Sequence, residues 1–237
     1  MNSIKTILSR EIKSYFNSPM AYIFLVVFAV VNGYFFTNTF FLFNQSNMRS
    51  LFNIIPLVYL FFIPAVTMSL IAREKNMGTM EVIATLPISN FSFVIGKFLS
   101  ALSLIVIGLI ITLIHFFTLI NVGTNIDYGA AFTGYLGLVM LGGVYAAIGT
   151  FASSITDNQV IAFIIGVFIV LVFFLMDKML VFIPISISGV IQYLSVEFHL
   201  SNISRGVIDS RNIIYFMSLT CFFLFMTIRV LEIRKWR

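Results

Sequence analysis

Residues Met20 to Phe43 read MAYIFLVVFAVVNGYFFTNTFFLF, without one charged side chain. That length meets the roughly 17–25 apolar residues a helix needs to cross a bilayer. It is too long for the apolar core of a signal peptide, and no small-x-small cleavage site follows it closely. The reading is a transmembrane helix, and it decides the fold class, because a chain in lipid must satisfy its backbone internally. The same pattern returns in Leu51–Ala72, Phe98–Ile120, Thr133–Ser153, Gln159–Met176 and Ile213–Leu231. The expectation is an all-α integral membrane protein with six spans in one domain.

Composition agrees. Of 237 residues, 60% are hydrophobic and 10% charged, whereas a soluble domain is nearer half apolar and a quarter charged. Six spans leave no room for a separate soluble catalytic domain, which needs about 100 residues. With Cys221 the single cysteine, no internal disulfide can form. His115 and His199 have no cysteine companions, so no metal site is expected.

Charge orients the spans. With both termini on one side, the basic residues there are Lys5, Arg10, Lys13, Arg73, Lys75, Lys97, Arg229, Arg234, Lys235 and Arg237. The other side holds Arg49, Lys178, Arg205 and Arg211. Basic residues collect on the cytoplasmic face, so both termini are expected inside. The net charge of +5 is therefore a matter of topology and does not point to nucleic acid.

Outside the spans, residues 3–18 read as an amphipathic helix with Ser3 at its N-cap. Ile4, Ile7, Leu8, Ile12 and Tyr15 share one face, and Lys5, Arg10 and Lys13 fall on the other. Such a helix suits the bilayer interface beside anionic lipid. Residues 177–212 are interrupted by Pro184 and Gly189 and read as one or two short helices dipping into or resting on the outer surface. Asp177-Lys178 marks the membrane boundary by snorkelling. Within the spans, Asn32 and Asn38 read as hydrogen-bonding glue between helices, His115 as interfacial, and Gly134, Gly137, Gly142, Gly143 and Gly149 as sites of close packing.

No enzyme is legible. Gly96-Lys97 is followed by Phe98 and no Gly stands five positions earlier, so there is no phosphate-binding P-loop. There is no G-x-S-x-G elbow and no H-E-x-x-H, and no catalytic residue is assigned. The informative stretch is the inner loop 73–97, REKNMGTMEVIATLP followed by a run to Gly96-Lys97. A helix over about Asn76–Leu86 would put Met77, Met80, Ile83 and Ala84 on one face and end at Pro87. That face either meets a partner surface or packs on the protein's own spans.

Several runs together resemble the ABC-2 type permeases. They are Ile63-Pro64-Ala65-Val66-Thr67-Met68, Arg73-Glu74-Lys75, Gly78-Thr79-x-Glu81, Thr85-Leu86-Pro87 and Val94-Ile95-Gly96-Lys97-Phe98. The run His199-x-x-x-Ile203-x-Arg205-Gly206-Val207-Ile208-Asp209-x-Arg211 is similar to the branch associated with gliding motility and nitrous-oxide-reductase maturation. Relatives often carry a basic residue after the Thr-Met and paired acids before Lys75, where this chain has Ser69 and Arg73-Glu74.

The resemblance implies a permease subunit of an ATP-binding-cassette transporter in a bacterial plasma (inner) membrane. It would couple a separate ATPase, which carries ATP and Mg, to export or to force transmission. A second permease copy would complete the membrane dimer, and a membrane-anchored partner with an extracytoplasmic domain is also implied. No cofactor is expected on this chain. Glu74, Met77, Gly78, Thr79, Met80, Glu81, Ile83 and Pro87 would form the ATPase-coupling element. Arg205, Gly206, Asp209 and Arg211 are the candidate extracytoplasmic gate or partner surface; the simpler reading is a solvated turn with Asp209 at the start of the last helix. The alternative function is a non-transporting membrane scaffold.

Overall fold

A computed structural model describes residues 2–42, 47–124, 126–182 and 184–234, and among them are helices and turns but no strand. Helix α1 (Asn2–Phe16) is followed by α2 (Pro19–Thr37), with Pro19 in its first turn. Proline costs nothing there, because that N–H has no helical partner. Helix α2 runs on into a π-helical turn, Asn38–Leu42, so the first span changes pitch; its expected end at Phe43 lies outside the described residues. Next come α3 (Arg49–Thr67), α4 (Ala72–Asn76) and α5 (Thr79–Thr85). Helices α6 (Asn90–Val122), α7 (Tyr128–Ile155) and α8 (Gln159–Leu175) have side-chain N-caps at Ser89, Asp127 and Asn158. A short 3-10 segment, Lys178–Phe182, leads to α9 (Ile185–Leu194), α10 (Val196–Ser204) and α11 (Ser210–Arg234).

Among the described residues, five helical stretches are long and apolar enough to cross a membrane: Pro19–Phe41, Arg49–Asn76, Asn90–Val122, Tyr128–Ile155 and Ser210–Ile233. Helix α8, expected as a further span, is apolar but has 17 residues, about 25 Å at the helical rise against roughly 30 Å of hydrocarbon.

Helix α7 is the hub and packs against α3, α6, α8, α10 and α11. Its glycines make those approaches possible. A Cβ on Gly149 would lie 1.9 Å from Thr67 Oγ1, and one on Gly134 would lie 2.1 Å from a Phe52 ring carbon. Close packing is therefore what most of these glycines do, although Gly143 has no neighbour nearer than 4.0 Å.

Three expectations are revised. Asn32 is fully buried, but its amide donates to the Phe28 carbonyl of its own helix (2.7 Å), so this bond does not link helices. Lys178 reaches back to Glu197 at 2.8 Å and is an ion-paired residue as well as a boundary mark. The apolar stripe of α1 faces protein: Ile7 and Tyr15 are buried, and Ile7 sits where a Cβ on Gly96 of α6 would be 2.8 Å away. His115 stacks on Phe36 of α2, centroids 4.7 Å apart.

Candidate functional site

The expected single helix over Asn76–Leu86 is two pieces. Gly78 stands between α4 and α5 with φ +69°, a conformation that L side chains other than Asn or Asp rarely adopt. Leu86 is extended (ψ 149°), as the residue before Pro87 is constrained to be. The break re-aims the face read from spacing. Met80 and Ile83 turn inward and pack against the core. Met77, Val82 and Leu86 point outward, 55%, 63% and 48% exposed, with Thr79, Glu81 and Pro87 also exposed. Nothing is described of the Ala84 side chain.

This small element is tied down on both sides. From α7, Ser153 Oγ accepts from the Ile71 and Ala72 backbone N–H groups, both at 3.0 Å, and donates to the Met68 carbonyl at 2.8 Å. One hydroxyl thereby satisfies three backbone groups where the chain turns from α3 into α4. Lys75 Nζ donates to the Ser154 carbonyl.

From the other side comes a cluster of charges. Lys97 of α6 is 1% exposed, and its Nζ lies 3.0 Å from Glu74 Oε1 and 3.2 Å from Glu11 Oε1. Arg10 Nη2 contacts the same two carboxylates, at 2.7 and 2.9 Å. Lys97 also lies 5.1 Å from the Phe93 ring centroid, where a cation meets the negative face of an aromatic. A buried ammonium is costly unless paired and hydrogen-bonded, and here two carboxylates share one cation from below and one from the surface.

The electrostatics follow from that pairing. Burial opposes the charge on Arg10, but Glu11 and Glu74 outweigh it and hold the guanidinium above its ordinary pKa. Burial, helped by the Glu11 carboxylate, pushes the Tyr15 hydroxyl up. Glu74 Oε2 is buried without a partner beside a cleft of about 490 Å³ between α1 and the α4–α5 element.

At the other end of the bundle the expected residues are not brought together as a pair. Gly206 has φ +92° and ends α10, so Arg205 and Asp209 are not on one helix and no ion pair joins them among the described residues. Asp209 instead begins α11: its Oδ1 accepts from the Arg211 N–H at 2.8 Å, and its carbonyl accepts from Asn212. The simpler reading of that turn therefore describes the local geometry. The organiser here is His199, fully buried. Its Nδ1 lies 2.7 Å from Asn212 Oδ1, its Nε2 lies 2.9 Å from the Tyr193 carbonyl, and its ring stacks on Tyr215 with centroids 4.0 Å apart.

Residues 5–204 match the family model described as an ABC-2 family transporter protein. The chain belongs to the ABC-2 transporter family. No curated protein matches it at a significant level. As an ABC-2 protein with several apolar helices it is a multi-pass membrane component of the kind that works with an ATPase partner. The match takes in α1 from Lys5 onward together with α4–α5 and α6, and stops one residue before Arg205.

The sequence reading of this ABC-2 chain named Glu74 but missed its partners. Glu11 and Lys97 stand 86 positions apart, and no periodicity connects them. The usable signal was Lys97 itself, a lone cation at the head of a long apolar helix.

Proposed function

We propose that this ABC-2 protein is the permease subunit of an ATP-binding-cassette transporter, with α4–α5 as the element that docks on a separate ATPase. The ATPase would bind ATP and Mg. Its movement would pass from α5 through Glu74 to Lys97 of α6 and to Glu11 and Arg10 of α1, and through Ser153 to α7. Ligand-driven work of this kind needs two states that the nucleotide biases differently. A rigid link from the docking element to the spans carries that bias.

The observation supporting this most is that one short exposed apolar element is anchored by buried charges to two other helices. Exposed apolar side chains backed by costly buried ion pairs are hard to explain as a plain loop. The charge asymmetry supports placing this end in the cytoplasm of a bacterial inner membrane, with six spans and both termini inside. A second copy would complete the membrane dimer, and the His199 end would face the exported substrate or an extracytoplasmic partner.

The test is Val82→Glu, which places a charge on the exposed face of α5. It should weaken co-purification with the ATPase by roughly 2 kcal/mol, about thirtyfold, and lower ATP turnover of the complex. Unchanged co-purification and turnover would show that the face does not dock.

A further inference from the structure

We propose that the outward face of α1 binds the phosphate of an anionic membrane lipid, and that Arg10 links this site to the clasp on Glu74. Lys5, Ser9 and Lys13 are one helical turn apart in succession, with Thr6 and Arg10 beside them, so all five form a single stripe. They line a shallow depression of about 620 Å³ in which no carboxylate takes part. All five are exposed. Among the described residues neither Lys5 nor Lys13 forms an ion pair, whereas Arg10 and Lys97 are matched to acids and Lys75 to a carbonyl.

The apolar side of α1 is already covered by α6, so this helix meets its surroundings with the basic stripe. Those surroundings are the lipid headgroups. Only Asn17 and Ser18 separate α1 from α2, a helix apolar and long enough to cross the bilayer. Phe16 packs edge-on against Tyr22 across that turn, centroids 5.8 Å apart. Lys13 is thus one helical turn from the point where the chain enters the hydrocarbon, the depth at which phosphates lie and basic residues are attracted to them.

Arg10 gives the site a consequence. Its contacts to Glu11 and Glu74 both use Nη2, and a guanidinium has five N–H donors. The donors on Nε and Nη1 are left for a phosphate lying between Lys5 and Lys13. A bound headgroup would hold Arg10 from outside while Glu74 holds it from within, which tightens the attachment of α4. This consequence rests on the coupling role proposed above; the binding site does not.

The experiment uses the full-length protein in detergent, without ATPase, titrated with short-chain phosphatidylglycerol, phosphatidylcholine or inorganic phosphate. The melting temperature should rise with phosphatidylglycerol alone. In Lys5→Gln/Lys13→Gln the lipid-free melting temperature should stay as in the parent, and the midpoint of the titration should move roughly thirtyfold, about fivefold per lysine. Backbone amide exchange over residues 72–79 should slow with phosphatidylglycerol in the parent. An unmoved midpoint in the double variant overturns the site. An equal rise with inorganic phosphate overturns lipid as the ligand. Lipid binding with unchanged exchange at 72–79 overturns the link through Arg10. Because no ATPase is present, failure of the docking proposal leaves these results standing.

Discussion

Lys97→Met is the sharpest perturbation of the clasp, because it keeps the length of the side chain and removes only the charge. In the parent, Lys97 Nζ is within 3.2 Å of two carboxylates and is shut away from water. Removing one member of a buried ion pair costs about 3–5 kcal/mol, mostly from the partner charge left behind. Here Arg10 still touches both carboxylates, and the Glu11 and Glu74 side chains keep 14% and 10% exposure, so the lower end applies, about 3 kcal/mol. For a chain of this size 1 kcal/mol corresponds to about 2–4 °C, which gives a fall of about 6–12 °C in the melting temperature of the purified protein. Lys13→Met, on the exposed face of α1, is the control and should shift it by no more than about 2 °C. Restoring neutrality with Glu74→Gln in the Lys97→Met background should recover part of the loss, since the orphaned carboxylate is then gone. If Lys97→Met melts with the control, the ammonium is hydrated and the clasp does not hold α4 to α6.

Three other outcomes are expected. Gly149→Ala should force α3 from α7 and fail to give a monodisperse protein, whereas Gly143→Ala, with no atom nearer than 4.0 Å, should be tolerated; size-exclusion profiles separate the two. Asn212→Leu should leave the buried His199 Nδ1 without its partner and lower stability by about 1–3 kcal/mol, with protease cleavage in residues 183–195 as the readout; unaltered cleavage would show that His199 does not fasten this end. Single cysteines at Ser89 and Ser210, in a Cys221→Ser background because Cys221 is exposed, should be labelled from opposite sides of the membrane, Ser210 from outside intact cells.

What could be read from the sequence alone was whatever local composition controls. Runs of apolar residues dictated the helices and their environment, as Met20 to Phe43 illustrates, since lipid leaves the backbone no alternative. Pro87 marked the end of the loop helix through its own backbone limits, and Asp209 marked the start of α11 through its affinity for a helix N-terminus. The tertiary structure decided what covers what. Spacing put Ile7 and Tyr15 on one face of α1, but only packing supplied α6 as its cover where lipid had been expected. Spacing likewise put Met80 and Ile83 together, and a single left-handed glycine turned them inward and left Val82 and Leu86 outside. Glu11, Glu74 and Lys97 lie on three separate helices, and their charges can be buried only once those helices have met. A side chain's periodicity is written in its neighbours along the chain, but the partner that makes burial of its charge affordable is a neighbour in space.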